Sequence, residues 1–235
     1  MWSGPRNIST AMMRAWENRD DCVVVDEPLY AYYLKATGLP HPGADEIIEH
    51  HEADWRRVVE DLTGPIPSGQ AIYYQKQMAH HLLPEIDRGW LDALTHVFLI
   101  RDPRAMIASY LQRRDAVTLE DTGLPQQLEI YRRMVARGDQ PPVIDSADVL
   151  RDPRGMLSAL CDRLEIPFSE KMLAWPAGGR DSDGIWAKHW YDAVEQSTGF
   201  QPYQPKSVTL AEELEPLAQE CEAIYRELHD ARMTL

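Results

Sequence analysis

The stretch Ser3–Thr10 constrains the fold most, because it reads as a tight turn that opens a helix. Apolar side chains at positions 8, 12, 13 and 16 then follow the spacing of one helix face. Hydroxyls and free backbone N–H groups converge on an anion at such a helix start, and Ser9 and Thr10 supply the hydroxyls. Gly4 permits close approach of a ligand, and Arg6 offers a planar fork for a phosphate or sulfuryl group. Taken alone, the stretch fits equally well an N-capped helix after a turn.

The nucleoside-triphosphatase loop, G-x-x-x-x-G-K-[ST], does not match this stretch. No second glycine and no lysine precede Ser9. That loop needs its lysine for the outer phosphates and its hydroxyl for magnesium. The sequence therefore favours a loop that binds phosphate without a metal, and we predict no metal site.

Composition narrows the class of protein. A chain of 235 residues with 44% hydrophobic composition is long enough for one domain, residues 1–235, with a full core. The net charge of −14 argues against a nucleic-acid partner, since phosphate contacts need clustered cations. Three widely spaced cysteines indicate buried, reduced thiols of a cytoplasmic protein. No apolar stretch approaches the roughly 18 residues of a spanning helix, so we expect no membrane partner and no signal peptide.

Short apolar runs alternate with helical patterns along the chain. This order predicts an α/β, three-layer, P-loop-type fold with a central, mostly parallel sheet flanked by helices. The predicted strands are 22–26, 71–76, 96–100 and 143–145. Only Met1 and Trp2 precede the first turn, so either the first strand is very short or the native start lies upstream.

Two regions stand apart from this alternation. Residues 29–64, with a long polar helix over 45–62, form either a helical lid or acceptor wall, or an ordinary outer helix. Residues 174–208 form a long irregular loop, and loops of that length in compact domains are usually functional or disordered. A final helix is predicted over 209–232. Aromatic residues of these regions either stack on a sugar or aryl ring or belong to the core: Tyr30, Tyr32, Tyr33, Trp186 and Trp190.

Polar residues follow three of the predicted strands. Glu27 and Arg101 lie just past strand ends, where open α/β sheets place their ligands. A solvated loop glutamate and an ordinary strand-end charge are the alternatives. His80 and His81 follow strand 71–76 and are not a zinc pair, which uses i, i+4 spacing. One of them suits a general base near neutral pH, and helix-capping or surface histidines are the alternative.

Once Arg101 is included, the pattern of motifs resembles the sulfotransferase family, which uses 3′-phosphoadenosine 5′-phosphosulfate (PAPS). The resemblance covers nearly the whole length of the chain. Gly4–Thr10 is similar to the family's 5′-phosphosulfate loop, seen in bacterial members with arginine in place of lysine. The resemblance implies that the 5′-phosphate and the sulfuryl group are held by Arg6, Asn7, Ile8, Ser9 and Thr10.

Two further segments resemble donor-binding motifs of the family. The first runs from Arg101 to Ser109, and the family's 3′-phosphate motif also places an arginine and a serine eight residues apart. The resemblance implies that this pair anchors the 3′-phosphate. The second, around Gly184, resembles the family's R-x-G-x-x-G-x-W-K loop and implies donor contacts from Arg180 and Lys188.

The resemblance also suggests catalytic residues. In some bacterial carbohydrate sulfotransferases the base is assigned to a glutamate before proline, after the second strand, and Glu27 matches that position. Eukaryotic members use a histidine in a Lys-x-His motif. Here Lys76 and His80 are further apart, which makes His80 the second choice. Arg6 is expected to stabilise the charge that develops on the transferred group.

The resemblance thus implies transfer of a sulfuryl group from PAPS to a hydroxyl or amine of a small-molecule or carbohydrate acceptor. Two alternatives stay open. A nucleotide-dependent phosphotransferase would need a magnesium site. A non-catalytic nucleotide-binding module would keep the fold without turnover. The sequence specifies neither the acceptor nor the oligomeric state.

Overall fold

The computed structural model describes residues 1–205 and 208–235. The strands are β1 (Trp2–Ser3), β2 (Cys22–Asp26), β3 (Ile72–Met78), β4 (Phe98–Ile100) and β5 (Val143–Asp145). The α-helices are α1 (Ser9–Glu17), α2 (Tyr30–Thr37), α3 (Ala44–His50), α4 (Trp55–Thr63), α5 (Pro103–Tyr110), α6 (Leu124–Ala136), α7 (Ser146–Arg151), α8 (Pro153–Arg163), α9 (Ala187–Trp190), α10 (Asp192–Glu195) and α11 (Glu215–Asp230). Turns of 3-10 helix cover Pro67–Gly69, Ala79–His81, Gly89–Ala93, Glu120–Thr122, Glu170–Leu173 and Glu212–Leu214.

The chain divides into two compact units, each built from separate segments. The terminal unit, named for the two chain ends that it contains, comprises Met1–Ile8, Thr95–Phe168 and Gln201–Leu235. The inner unit comprises Ser9–Leu94 and Ser169–Phe200. The chain thus passes from one unit to the other between Ile8 and Ser9, inside the predicted phosphosulfate loop. A single domain over residues 1–235 stays a prediction.

The terminal unit is built on three parallel strands. β4 pairs with both β1 and β5, with Trp2 opposite Phe98 and Phe98 opposite Val143. These three side chains are at most 1% exposed, as expected of parallel strands covered on both faces. Helix α11 packs against α5, α6 and both β4 and β5.

The inner unit contains the other parallel pair. β2 and β3 run in register from Cys22 opposite Ile72 to Asp26 opposite Lys76. Helix α1 packs on both strands, and the indole of Trp16 stacks on the ring of Tyr74 with centroids 5.5 Å apart. The predicted α/β class, with parallel strands flanked by helices, is confirmed.

A second core of the inner unit joins region 29–64 to the segment around Trp186. Tyr30 and Tyr33 of α2, Ile47 of α3 and Trp186 are each at most 5% exposed. The ring of Tyr30 meets Trp186 edge-on, with centroids 5.1 Å apart. These aromatic side chains are therefore core residues of the inner unit.

The single helix predicted over 45–62 is wrong. The structure has two helices there, because His51 is extended with φ −119° and ψ 155°. The side chain of Asp54 then accepts a hydrogen bond from the Arg56 N–H and starts α4. An acidic residue at this position is a favoured N-cap, which the apolar periodicity of the segment concealed.

Two other boundaries also differ from the sequence-based expectation. The segment 174–208, expected to be irregular, contains α9 and α10. Its positions 206 and 207 lie outside the described residues. The final helix begins at Glu215 rather than near 209, because Pro216 occupies the first turn, where a missing N–H costs nothing.

Candidate functional site

The predicted phosphosulfate loop is braced by the side chain of Asn7. Its amide nitrogen donates to the carbonyl oxygen of Leu99 in β4, at 3.0 Å. Its side-chain oxygen accepts from the backbone N–H of Ile8 at 2.9 Å. Arg6, just before it, has a left-handed backbone with φ 56°, which is uncommon for a residue other than glycine. Asn7 therefore shapes the turn and ties it to β4.

Gly4 has a packing role in the structure. A Cβ atom at this position would lie 2.3 Å from the carbonyl oxygen of Thr122. No ordinary contact is that short, and the obstacle is backbone. The glycine is therefore required by the close approach of two protein segments, whereas the sequence suggested approach of a ligand.

The structure brings together three of the predicted donor-binding residues in the terminal unit. The Nε of Arg6 donates to the Oγ of Ser109, at 3.2 Å. The Nη1 of Arg101 donates to the backbone carbonyl oxygen of Arg6, 95 positions away in sequence. Residues from the two separate motifs thus form one contact group.

The guanidinium groups of this contact group form no direct ion pair among the described residues, although Asp102 and Asp145 attract Arg101 at longer range. Neither Arg6 nor Arg101 is paired with a carboxylate in the part of the chain that the structure describes. Burial, followed by repulsion from Arg113, lowers the pKa of Arg6. Burial, followed by repulsion from Arg6, lowers the pKa of Arg101. Cations that repel each other in one place favour an anionic ligand, and Arg113 is a neighbour that the sequence reasoning missed.

Helix α1 continues the loop into the inner unit. It begins at Ser9, which is 5% exposed, and Thr10 is half-buried. The first N–H groups of a helix have no partner within the helix, so this start retains donors for an anion. The roles of Ser9, Thr10 and Ile8 in donor binding stay predictions.

Two donor contacts were predicted from the loop around Gly184, and both residues have protein partners in the inner unit. Arg180 donates to the carbonyl oxygens of Pro176 at 2.6 Å and Gly179 at 3.1 Å. Lys188 forms an exposed ion pair with Glu46 at 2.5 Å. Donor contacts from Arg180 and Lys188 stay predictions, and each would require release from these partners.

The same loop is attached to α1 by a buried ion pair. The guanidinium of Arg14 donates two hydrogen bonds to the carboxylate of Asp183, each 2.6 Å long. Their side chains are 1% and 6% exposed. Such a two-point pair fixes orientation as well as distance, so it sets the position of the 178–184 segment against α1.

Glu27, the first choice for the base, belongs to a buried network that we call the lysine network: Asp26, Glu27, Lys76 and Tyr191. The Lys76 ammonium donates to Asp26 Oδ1 at 2.8 Å, to Glu27 Oε1 at 2.6 Å and to the Tyr191 hydroxyl oxygen at 2.6 Å. The Tyr191 hydroxyl donates to Asp26 Oδ2 at 2.7 Å. The sequence pointed to Glu27 but gave no signal for Tyr191, which lies far along the chain.

The charge state of the network follows from its burial. Loss of solvation, with repulsion from Asp26, raises the pKa of Glu27 despite the attraction of Lys76. Attraction to both carboxylates raises the pKa of Lys76 well above its ordinary value, outweighing the cost of burial. The lysine is therefore an ammonium, and the raised pKa of Glu27 favours uptake of a proton by that carboxylate.

His80 and His81 are buried, so the surface alternative for them is wrong. They are 9% and 2% exposed and form a 3-10 turn after β3. Their rings lie 4.3 Å apart and both contact Tyr33. Burial and repulsion from His80 lower the pKa of His81 well below its ordinary value. The role of His80 as base stays a prediction.

Residues 1–205 and 208–235 contain no group of three His, Cys, Asp or Glu side chains able to hold a metal ion. Cys22, Cys161 and Cys221 are buried and form no disulfide with one another, as the sequence predicted. Among the described helices, none is long and apolar enough to span a membrane.

Comparison with known proteins supports the family that these residues indicate. A family profile described as "Sulfotransferase domain" matches residues 1–219. In Arabidopsis thaliana, "Branched-chain-amino-acid aminotransferase-like protein 2" is 36% identical over 95% of this chain and 40% of its own length. "Branched-chain-amino-acid aminotransferase-like protein 1" is 40% identical over 85% of this chain and 36% of its own length. The chain thus spans well under half of these two relatives.

A solved structure supports the fold. The "Sulfotransferase Domain from the Curacin Biosynthetic Pathway" aligns with 97% of this chain and 95% of its own, with a TM-score of 0.51 and 16% identity. At that identity the likeness speaks for the fold alone. The profile match covers most of the sequence, so the chain belongs to the sulfotransferase domain family, which confirms the predicted family and enzyme class.

Proposed function

We propose that the chain transfers a sulfuryl group from PAPS to a hydroxyl or amine of a small-molecule or carbohydrate acceptor. The contact group of Arg6, Arg101 and Ser109 carries this proposal. Two guanidinium groups without carboxylate partners, in the described part of the chain, suit a ligand with several negative charges. PAPS is such a ligand, because it carries a 3′-phosphate and a phosphosulfate.

The residues of the proposed site have different roles in the reaction. Arg101 and Ser109 anchor the 3′-phosphate, and this binding away from the reacting atoms orients the donor. Arg6 and the N–H groups of its loop stabilise negative charge on the transferred group and on the bridging oxygen. PAPS supplies an activated sulfuryl group. Glu27 accepts the proton of the acceptor, with His80 as the second candidate for this role.

Positioning and electrostatics supply most of the rate in this scheme. By analogy with loose phosphoryl transfer, little covalent chemistry is left for the protein. A Glu27→Gln substitution would therefore keep donor binding and lower the turnover. Release of labelled sulfate from PAPS, with water as the acceptor, measures that turnover before the natural acceptor is known. Full turnover in the variant would remove Glu27 from the scheme.

The experiment that tests the proposal is thermal unfolding with and without 3′-phosphoadenosine 5′-phosphate (PAP). Ligand at a hundredfold its dissociation constant adds about 2.7 kcal/mol, which is roughly 5–10 °C for a chain of this size. Arg101→Ala should lose this shift. Arg132→Ala, which breaks an exposed pair with Glu227 in the same unit, should keep it. An unchanged midpoint in the wild type would overturn the proposal.

A further inference from the structure

The lysine network contains one more negative than positive charge. Lys76 lies between the carboxylates of Asp26 and Glu27, and Tyr191 contributes a hydroxyl. The side chains of Asp26 and Lys76 are 1% and 2% exposed, and that of Glu27 is 12% exposed. Buried ionic groups are costly unless they are paired, so an uneven set of three is unusual for a purely structural role. One added proton would make the set neutral.

The hydrogen bonds show which carboxylate can take that proton. Asp26 accepts from Lys76 and Tyr191, and its Oδ2 also accepts from the backbone N–H of Gly184 at 3.2 Å. Both of its oxygens are therefore occupied by donors. An ammonium has three N–H groups, and those of Lys76 point to Asp26, Glu27 and Tyr191. Glu27 is the more exposed acid, and Lys76 holds its Oε1.

The backbone supports the same arrangement. Glu27 has a left-handed backbone with φ 41°, although it is not glycine. Its N–H donates to the carbonyl oxygen of Lys76 at 3.0 Å, and its own carbonyl oxygen accepts from the N–H of Tyr30 at 2.9 Å. Strained conformations of this kind persist where surrounding contacts fix them, and they concentrate at functional sites. Glu27 is thus bound to Lys76 through both its backbone and its side chain.

We propose that Lys76, Asp26 and Tyr191 are positioning residues that hold Glu27 as the proton acceptor of the reaction. The inference rests on the proposed function. The acceptor proton moves to the carboxylate of Glu27 as the new oxygen–sulfur bond forms. The bond between sulfur and the bridging oxygen breaks, and its electron pair leaves with the 5′-phosphate. Lys76 keeps its proton throughout, and Asp26 and Tyr191 keep the ammonium in place.

The charged neighbours of Glu27 shift its pKa in opposite directions. Lys76 stabilises its ionised form, and Asp26 destabilises it. Tyr191 donates within the network, and His51 faces Asp26 from the end of α3. Lys76→Met should therefore raise the pKa of Glu27, and Asp26→Asn should lower it. Opposite or like charges at this range shift a pKa by about one to three pH units.

The test is carbon-13 NMR of protein labelled at the side-chain carboxyl of glutamate. The Glu27 signal is assigned by its loss in Glu27→Gln, and its titration is then followed in the wild type and in both variants. The expected result is shifts of opposite sign. Tyr191→Phe removes a single oxygen and keeps the ring, so it provides a milder variant that should move the Glu27 titration upward if Lys76→Met does not fold.

Opposite shifts alone follow from the charges, so the deciding readout is the acid limb of the pH–turnover profile for release of labelled sulfate. This limb should move with the Glu27 titration in both variants, whereas a merely structural network would leave it unmoved. Shifts of the same sign, or none, in variants that PAP still stabilises would overturn this inference alone. A wild type that PAP fails to stabilise would overturn the proposed function, and the role of the network in transfer with it. The two failures are therefore distinguishable.

Discussion

The Nε of Arg6 donates to the Oγ of Ser109 at 3.2 Å, across 103 positions of sequence. The first residue belongs to the loop before α1 and the second to α5. This bond, together with the contact from Arg101 to the Arg6 carbonyl oxygen, aligns an arginine of one motif with a serine of the other. The two motifs therefore form one contact group, and its role in donor binding is the proposal tested below.

The first prediction concerns Ser109→Ala. The substitution removes the oxygen that accepts from the Arg6 guanidinium, and a hydrogen bond to a charged group contributes about 1.5–3 kcal/mol. We expect PAP binding to weaken by about tenfold or more, measured by calorimetry. Ser158→Ala, on α8 of the same unit, is the matched control and should bind PAP as the wild type does. Equal affinity of both variants would contradict the proposed role of Ser109.

The second prediction concerns the pair of Arg14 and Asp183. Replacing Arg14 by Met leaves the buried carboxylate of Asp183 unpaired, which costs about 3–5 kcal/mol of unfolding free energy. Arg132→Met breaks a pair that is 62% and 41% exposed and should cost far less unfolding free energy than Arg14→Met. Urea unfolding measures both. Apolar replacement of a whole buried pair is often tolerated. The double variant Arg14→Met with Asp183→Leu should therefore lose less unfolding free energy than Arg14→Met alone.

The third prediction concerns acid sensitivity and His81. Its pKa is lowered in the folded protein, so below about pH 6.5 the unfolded chain takes up a proton that the folded chain does not. The stabilisation that comes from neutral His81 is therefore fully present above that pH, and it is lost as the pH falls. His81→Phe keeps a ring between Tyr30 and Tyr33 and removes this proton uptake.

We expect the loss of unfolding free energy between pH 7 and pH 5 to be smaller by up to about 2 kcal/mol in His81→Phe than in the wild type. Urea unfolding at the two pH values measures this difference. His50→Phe, at an exposed position of α3, should lose as much as the wild type. An equal loss in His81→Phe would show that His81 does not carry the acid sensitivity.

The fourth prediction concerns the cysteines. Burial raises the pKa of Cys22 to about 12 and that of Cys221 to about 11, and Cys161 is fully buried. Since the thiolate is the reactive form, the folded protein should not react rapidly with Ellman's reagent at pH 8, and all three thiols should react in guanidinium. Above about pH 9 the unfolded chain loses these protons first, so stability should fall. A rapidly reacting thiol in the folded protein would contradict this.

Local sequence patterns predicted much of the inner and terminal units. The run Cys22–Asp26 is β2, with the same bounds, and Val143–Asp145 is β5. Such runs are short, apolar and β-branched, and a parallel strand covered on both faces needs that composition. The start of α1 near Ser9 was equally visible, because the apolar spacing that begins at Ile8 continues through the helix.

Other features depend on contacts that no local pattern contains. The helix break between α3 and α4 rests on the cap formed by Asp54, which competes with a continuous apolar stripe. Tyr191 gave no signal in the sequence, because its hydroxyl meets Asp26 across 165 positions. The burial of His80 and His81 follows from packing against α2 and could not be read from their order in the chain.

The sequence by itself determined the family, the parallel strands and the identity of the residues at the strand ends, because these depend on composition and spacing within short segments. Tertiary structure alone decided which charges meet. It placed Arg6 beside Ser109 and left its charge without a carboxylate among the described residues. It also placed Lys76 between Asp26 and Glu27. Electrostatic energies depend on distance and burial, and both are set only when distant segments pack together.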